Sequence, residues 1–376
     1  MDNKGAYSLK EAAVLQLARP VLTQLQPFEP ALPDLPIEKI QQQLGQNRVV
    51  KLSFNENPYG PSPKAVEAMQ RELACLHLYQ DSKGDDLRSA IGADLGLEPD
   101  QVILTNGADE LILLVALAFL EPDDEVLIPI PTFGQYQTSS LIMGAKIIPV
   151  PQTDFRIDIE NILEAVTSRT KIVFICNPNN PTGTIITKDE LDSLLHRLPE
   201  DILLVIDEAY IDYVTEPSCA FGLDYLRQRE NLLLVRTFSK IHGLAAARVG
   251  FGISNAPLIS LLERIRPPFN VSRIGQAGAL ASWQDKAYFR KMQELNAANR
   301  EYLYTILEAA GMSYIPSQTN FVLADTKQDA GGMCSKLAEF GIIVRNAAGF
   351  GLPQHLRITV GRKEDLDRLG EALQDC

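Results

Sequence analysis

The chain has 376 residues and a formal net charge of −13, which argues against nucleic acid or an anionic membrane surface as a partner because both require basic patches. Its length allows a large core and two domains, and its 45% hydrophobic content is ordinary for a soluble globular protein. The five cysteines and four histidines are dispersed, which predicts a reducing environment and no metal site. Without a signal-like start or a run of about 18 apolar residues, a cytoplasmic location is expected.

The first 50 residues predict an N-terminal arm. After a helix expected over residues 9–17, five prolines fall between Pro20 and Pro36, a spacing that excludes a long helix or a central strand. Within this arm, the segment Leu25-Gln26-Pro27-Phe28 places an aromatic ring on extended backbone, where it could simply anchor the arm.

Most of the chain alternates short apolar runs with helical segments, which predicts an α/β fold with a mostly parallel, doubly wound sheet. After residue 270, short strands mix with helices and predict a smaller α+β domain that a long helix over residues 276–310 links to the first. The predicted division is an arm at 1–50 packing with the small domain, a large domain at 51–270 and a small domain at 271–376. Strands of the large domain are predicted at 101–105, 125–130, 146–150, 171–176, 202–206 and 232–235.

Three polar residues follow predicted strands, and in open α/β sheets ligands bind at the carboxyl ends of the strands. Lys240 comes after the strand at 232–235, and a partly desolvated lysine can act as an amine nucleophile toward a carbonyl. Asp207 follows Ile-Leu-Leu-Val-Ile, so it needs a partner, either a cationic ligand nitrogen or an internal salt bridge. Asn180 lies in a turn between two prolines, where its side chain could donate a hydrogen bond to a ligand oxygen or could simply stabilise the turn.

Two further features suit a flat, phosphorylated ligand. Gly107 opens a predicted helix directly after a strand, and free N–H groups at a helix start bind anions such as phosphate, although a capped helix with nothing bound would look the same. Phe133 could stack on a ring or lie in the core. Together these groups describe a receptor for pyridoxal 5′-phosphate, in which the freed Lys240 would also move a proton from the substrate Cα to the cofactor C4′.

The motifs at residues 177–183 (NPNNPTG), 207–210 (DEAY) and 237–240 (TFSK), with Arg248 after them, resemble the fold-type I aminotransferases in order and spacing. Finer motifs are similar to the histidinol-phosphate aminotransferase subfamily, and the resemblance covers nearly the whole chain. These finer motifs are NENPYG at 55–60, GADE at 107–110, PTFG at 131–134 and LRITVG at 356–361.

The resemblance implies a catalytic set of Lys240, Asp207 and Tyr210. Lys240 would bond covalently to the cofactor, Asp207 would partner its ring nitrogen, and Asn180 with Tyr210 would hold its ring oxygen. Phe133 would stack on the ring. The residues that the resemblance places around the cofactor phosphate are Ala108, Asp109, Thr237, Ser239, Arg248 and, from the partner subunit of a homodimer with shared sites, the residue equivalent to Tyr79.

For the substrate, the resemblance implies Arg345, Arg357, Phe28 and Asn180. The two arginines would bind the anionic group of the substrate and the carboxylates of glutamate, although Arg345 could also form a surface ion pair. Relatives that handle histidinol phosphate usually have Leu-x-Pro-Tyr where this chain has Leu25-Gln26-Pro27-Phe28, so Phe28 stands in the place of their tyrosine. Phenylalanine lacks the hydroxyl that would hydrogen-bond to the substrate phosphate, and such a bond to a charged group is worth about 1.5–3 kcal/mol. The phenylalanine also makes the pocket more favourable to a substrate with an aromatic side chain.

The sequence therefore predicts a transaminase that exchanges an amino group between histidinol phosphate and 2-oxoglutarate, with imidazole-acetol phosphate as the keto partner. The main alternative is an aromatic amino acid aminotransferase acting on phenylalanine or tyrosine. A decarboxylase or lyase on the same scaffold and a non-catalytic cofactor sensor are further alternatives. A nucleotide-binding dehydrogenase is disfavoured because no G-x-G-x-x-G follows the early strands.

Overall fold

Two separate sheets organise the computed structural model, which describes residues 16–375. The helix predicted over residues 9–17 lies almost wholly outside these residues. In chain order the strands are β1 (Val50–Leu52), β2 (Val102–Thr105), β3 (Glu125–Ile130), β4 (Lys146–Pro151), β5 (Thr170–Cys176), β6 (Leu203–Asp207), β7 (Leu232–Thr237), β8 (Gly250–Ile253), β9 (Ser313–Ile315), β10 (Phe321–Asp325), β11 (Ile342–Asn346) and β12 (His355–Thr359).

The helices that cover these sheets are α1 (Ile37–Leu44), α2 (Pro63–Glu72), α3 (Asp85–Leu95), α4 (Ala108–Phe119), α5 (Gln135–Ile142), α6 (Ile159–Glu164), α7 (Lys188–Arg197), α8 (Ala256–Glu263), α9 (Arg273–Gln284), α10 (Lys286–Ala309), α11 (Ala330–Glu339) and α12 (Lys363–Gln374). Within residues 16–375, none of them is both long and apolar enough to cross a membrane.

The larger sheet has seven strands in the order β2-β8-β7-β6-β5-β3-β4. Its pairs are parallel except for the two that β8 makes. Helices cover both faces, so the strands are apolar at successive positions: Ile172 and Phe174 face one buried cluster, while Val173 and Ile175 face the other. The predicted mostly parallel sheet is confirmed.

The smaller sheet has five strands in the order β1-β11-β12-β10-β9. β1 pairs in parallel with β11, so residues that precede the large sheet hydrogen-bond to the last third of the chain. The antiparallel pairing of β11 with β12 places Arg345 directly opposite Arg357. The domain limits at residues 50 and 270 stay a prediction.

The segment predicted as a long helical linker over residues 276–310 is helical, but it forms two helices, α9 and α10, that break at Asp285. The Asp285 backbone leaves the helical region with φ −86° and ψ 66°. Its carboxylate accepts hydrogen bonds from Ser62 Oγ (2.6 Å) and Lys64 Nζ (3.2 Å), so the break is tied to the start of α2. α9 packs against α2 and α3 beside the large sheet, and α10 runs on toward the small sheet.

The described part of the arm contains two short 3₁₀ turns, Pro20–Gln24 and Leu32–Asp34, before α1. The side chains of Leu32 and Leu35 pack with Ile40 of α1 against Val49 and Ile343. The arm therefore contacts the small sheet through β11.

Candidate functional site

A cavity of about 470 Å³ lies where β5, β6 and β7 end and the small sheet begins. Twelve of the predicted site residues line it: Ala108, Asp109, Phe133, Asn180, Asp207, Tyr210, Thr237, Ser239, Lys240, Arg248, Arg345 and Arg357. Segments that are far apart in the sequence thus converge on one space, as expected at the carboxyl ends of parallel strands.

Phe28 and Tyr79 do not line this cavity in the single chain. Phe28 is 73% exposed and Tyr79 is 81% exposed. The Tyr79 ring packs on Phe269, with 4.7 Å between ring centroids, and its backbone oxygen accepts a hydrogen bond from Arg273. Their predicted roles stay predictions, and that of Tyr79 requires a second subunit.

Asp207 ends β6 with a buried carboxylate. Its Oδ2 accepts a hydrogen bond from the Tyr136 hydroxyl (2.7 Å), and its Oδ1 accepts one from the backbone N–H of Ala209 (3.0 Å). Among the described residues no lysine or arginine pairs with it, so burial raises its pKa to about 6. An acid held in this way fits a cationic ligand nitrogen, which would restore its charge.

Lys240 is half-buried, and its Nζ lies 5.4 Å from the centroid of the Tyr210 ring. It donates a long hydrogen bond to the backbone oxygen of Phe54 (3.5 Å). Burial, followed by repulsion from the Arg357 guanidinium, lowers its pKa to about 8. A substantial fraction of the amine is therefore neutral near physiological pH and available as a nucleophile or a base.

The start of α4 forms an anion cradle with the segment after β7. Gly107 has φ +81°, and a Cβ there would collide with the guanidinium of Arg248. Arg248 itself has φ +55°, an uncommon conformation for a side chain of its size. Its guanidinium donates to Ser239 Oγ (3.4 Å) and pairs with Asp109 (3.2 Å), while Thr237 Oγ1 donates to Ser239 Oγ (3.0 Å).

Asn180 and Tyr210 both line the cavity, and each accepts a hydrogen bond from another residue. Asn180 Oδ1 accepts a hydrogen bond from Arg357 Nη1 (2.8 Å), which leaves its NH₂ group as the donor for a ligand oxygen. The Tyr210 hydroxyl accepts a hydrogen bond from Asn55 Nδ2 (3.0 Å), so its own proton can point to a ligand. Burial raises the pKa of Tyr210 above its usual range and keeps that proton in place.

The two arginines differ in their surroundings. Arg357 is 6% exposed, donates to the backbone oxygen of Ser53 (2.8 Å), and has its pKa lowered to about 10 by burial. Arg345 pairs with Asp34 of the arm. The alternative of an ion pair for Arg345 is therefore observed, but the same side chain also lines the cavity.

Several lining or supporting residues were not singled out from the sequence. Tyr136 orients Asp207 and stacks on Phe174, with 4.9 Å between ring centroids. The sequence feature that could have identified Tyr136 is a tyrosine at the start of a helix that packs on the core, because a buried hydroxyl there needs a hydrogen-bond partner. Phe54 and Phe350 line the cavity beside the arginines: the Arg345 Cζ lies 5.6 Å from the Phe54 ring, and the Arg357 Cζ lies 5.7 Å from that of Phe350.

The chain is similar to known aminotransferases in both sequence and structure. The family described as aminotransferase class I and II matches residues 47–373. A histidinol-phosphate aminotransferase of Moorella thermoacetica is 40% identical over 349 residues, which cover 93% of this chain and 90% of the relative. Histidinol-phosphate aminotransferase 1 of Nitrosococcus oceani is 40% identical over 366 residues, which cover 97% and 98%.

A similar solved structure is that of histidinol-phosphate aminotransferase from Sinorhizobium meliloti in complex with pyridoxal 5′-phosphate. It matches with a TM-score of 0.87 at 27% sequence identity and covers 99% of both chains. The likeness therefore extends across the two sheets and the cavity between them.

Proposed function

Because the chain belongs to the class I and class II aminotransferases, we propose that it uses pyridoxal 5′-phosphate to exchange an amino group between histidinol phosphate and 2-oxoglutarate. The keto partner of histidinol phosphate would be imidazole-acetol phosphate. The observation that carries this proposal is one cavity that combines two features. On one side are a lysine with a lowered pKa and a buried acid that has no cationic partner among the described residues, and on the other side are two arginines. Support for the substrate comes from relatives of that name that are about 40% identical over more than nine-tenths of the chain.

The residues present fit the cofactor. Asp207, which lacks a cationic partner in the described chain, would hold the pyridine nitrogen, and the cradle of Gly107 and Arg248 would hold the phosphate. Asn180 and Tyr210 would donate to the ring oxygen. When bound, the cofactor supplies an electron-withdrawing ring next to the substrate Cα.

Lys240 has two tasks in this proposal. It would hold the cofactor covalently, and as a free amine its neutral Nζ would take the proton from the substrate Cα. The lowered pKa of Lys240 suits the second task, since a general base works best when its pKa is near the operating pH. Tyr136 and Ala209 keep the Asp207 carboxylate aimed by their two hydrogen bonds.

Arg357 and Arg345 would bind the anionic ends of the substrates. Arg357 is the more buried and touches Asn180, so we assign it the anion next to the reacting carbon. Arg345 lies nearer the arm and would bind the distal anion. The rings of Phe54 and Phe350 would pack against the substrate side chain between them.

The test is a comparison of kcat/KM across histidinol phosphate, phenylalanine, tyrosine and leucine, each with 2-oxoglutarate. We expect histidinol phosphate to give the highest value. No formation of histidinol phosphate from glutamate and imidazole-acetol phosphate, together with fast reaction of phenylalanine, would overturn the assignment.

An aromatic amino acid aminotransferase is the second candidate, and Phe54 and Phe350 in the cavity wall favour it together with Phe28 in the arm. The same panel separates the two, because this candidate predicts the highest kcat/KM for phenylalanine or tyrosine.

We also propose a homodimer in which Tyr79 of each chain reaches the cofactor phosphate of the other. The exposure of Tyr79, beside the exposed side chains of Leu76 and Leu78, supports this assembly. Sedimentation of the holoenzyme should give the mass of two chains, and a monomer with full activity would contradict it. The cytoplasmic location stays a prediction.

A further inference from the structure

The two substrate arginines lie side by side. Arg345 of β11 and Arg357 of β12 are directly opposite each other in the antiparallel register, where like charges repel. Arg357 makes its described hydrogen bonds to neutral oxygens, Asn180 Oδ1 and the backbone oxygen of Ser53. A counterion for this pair therefore has to come from elsewhere in the chain.

That counterion is Asp34, which lies 311 positions before Arg345. Its side chain is only 4% exposed, and its Oδ1 accepts a hydrogen bond from Arg345 Nη1. Its other oxygen, Oδ2, accepts the backbone N–H of Ala31 (2.9 Å). The carboxylate is thus fixed by its own turn as well as by the arginine.

The arm also touches the second arginine indirectly. Ser53 Oγ donates to the backbone oxygen of Pro33 (2.8 Å), and the backbone oxygen of the same serine accepts from Arg357 Nη2 (2.8 Å). Leu32 and Leu35, on either side of Asp34, pack against the small sheet. One short turn of the arm therefore connects to both guanidinium groups.

We propose that Asp34 is the positioning residue of Arg345, and that the arm thereby sets the preference of the site for substrates with a second, distal negative charge. An arginine side chain presents five N–H donors in a rigid, planar group, and Asp34 accepts a hydrogen bond from only one of the Arg345 nitrogens, Nη1. Because the other oxygen of Asp34 is held by the backbone of Ala31, the carboxylate can stay in place while a ligand binds the rest of the fork. A guanidinium held before binding loses less side-chain freedom when the ligand arrives.

This inference rests on the proposed function in that the cavity binds amino donors and oxo acids. It is tested with the holoenzyme and two ligands of nearly equal shape, glutarate and its monoamide, which differ in the charge of one end. Their dissociation constants are measured by calorimetry for the wild type and for the Asp34→Ala and Asp34→Asn variants. The KM values for glutamate and glutamine in the amino-donor half-reaction give a second, kinetic comparison.

We expect the wild type to bind glutarate more tightly than the monoamide. Asp34→Ala should weaken glutarate binding about tenfold to a hundredfold, the usual effect of losing a hydrogen bond to a charged group, and leave the monoamide within about twofold. Asp34→Asn keeps an oxygen acceptor for Arg345, so it should recover most of the glutarate affinity. The exposed Glu38→Gln, which changes the net charge equally, should match the wild type.

Four results would overturn the proposal. If glutarate binds no more tightly than the monoamide in the wild type, the site does not recognise a distal negative charge. If Asp34→Ala binds glutarate as well as the wild type, Asp34 has no role in binding the distal charge. If the variant binds glutarate more tightly, Asp34 competes with the substrate for Arg345. If both ligands weaken equally, the role is only structural. Neither ligand is a phosphorylated compound, so an enzyme that fails the histidinol phosphate panel can still pass this test.

Discussion

The two sides of the cavity are built in different ways. On the cofactor side, Asp207 ends β6 and Lys240 follows β7, and these are neighbouring strands of the large sheet. On the substrate side, Arg345 and Arg357 belong to the smaller sheet and are tied to the arm and to the connection after β1. The proposed function therefore assigns the chemistry to the large sheet and substrate choice to the small sheet and the segments bound to it.

Each side also carries one buried charge that forms no ion pair among the described residues, Asp207 on the cofactor side and Arg357 on the substrate side. Burial raises the pKa of Asp207 to about 6 because no cation in the described chain faces it, and burial lowers the pKa of Arg357 to about 10. Each charge costs folding stability until a ligand of opposite charge binds. Under the proposed function, the cofactor would neutralise the first charge and the substrate anion the second.

The largest effect should come from removing the nucleophile of the cofactor side. Lys240→Ala removes the covalent bond to the cofactor and the base for the Cα proton, so turnover should fall about 10⁴-fold, the upper end of what a general base contributes. The purified variant should also lose the visible absorbance that the wild type is expected to show with bound cofactor. The matched control is Lys363→Ala at an exposed position of α12, which should stay yellow and active. A colourless wild type that pyridoxal phosphate cannot reconstitute would contradict the cofactor assignment.

Asp207→Asn should separate activity from stability. Losing the charge that faces the pyridine nitrogen costs about 3–5 kcal/mol, so turnover should fall about 150-fold to 5,000-fold. The apoenzyme should instead gain stability, on the order of 3 kcal/mol at pH 7.5, because the folded-state pKa of about 6 lies above the ordinary value of 3.8.

The sign follows from proton binding. Between pH 4 and pH 6 the folded apoenzyme binds more protons at Asp207 than the unfolded chain does, so the wild type loses stability as the pH rises through this window. Urea unfolding of both apoenzymes at pH 4.5 and pH 7.5 measures the difference. An Asp207→Asn apoenzyme that is less stable than the wild type at pH 7.5 would show that the carboxylate is satisfied without a ligand.

The contrast between the sides also explains what the sequence could predict. Asp207, Asn180 and Lys240 were found because each follows an apolar run, and parallel strands bring their carboxyl ends to one edge. The partnership of Asp34 with Arg345 could not be found in this way, since it depends on how an irregular arm lies over a second sheet.

Two further failures have similar causes. The bond between Asn55 and Tyr210 joins residues 155 positions apart, and no local pattern encodes it. The break at Asp285 was missed because helical periodicity continues through it, and the contacts with Ser62 and Lys64 that accompany it come from another helix.

The pH dependence of cofactor binding tests whether the two sides are electrostatically linked. Lys240, with its pKa lowered to about 8, reacts as the neutral amine, so the rate of cofactor capture by the apoenzyme should rise about tenfold per pH unit below pH 8 and level off above it. Arg357→Gln removes a positive charge that lowers this pKa, so the midpoint should move upward. Stopped-flow absorbance measures both profiles. Identical midpoints would mean that the substrate arginine does not act on the lysine across the cavity.

The smallest expected effect lies on the substrate side. Phe28→Tyr adds a hydroxyl to an arm residue that is 73% exposed, so a new hydrogen bond to a substrate phosphate should improve kcat/KM for histidinol phosphate only about twofold to tenfold. The values for phenylalanine and leucine should not change, because neither has a phosphate. An equal gain for all three substrates would show that the arm acts through stability, and no gain would show that Phe28 does not face the substrate phosphate. Either result would leave substrate choice to Arg345, Arg357 and the rings beside them.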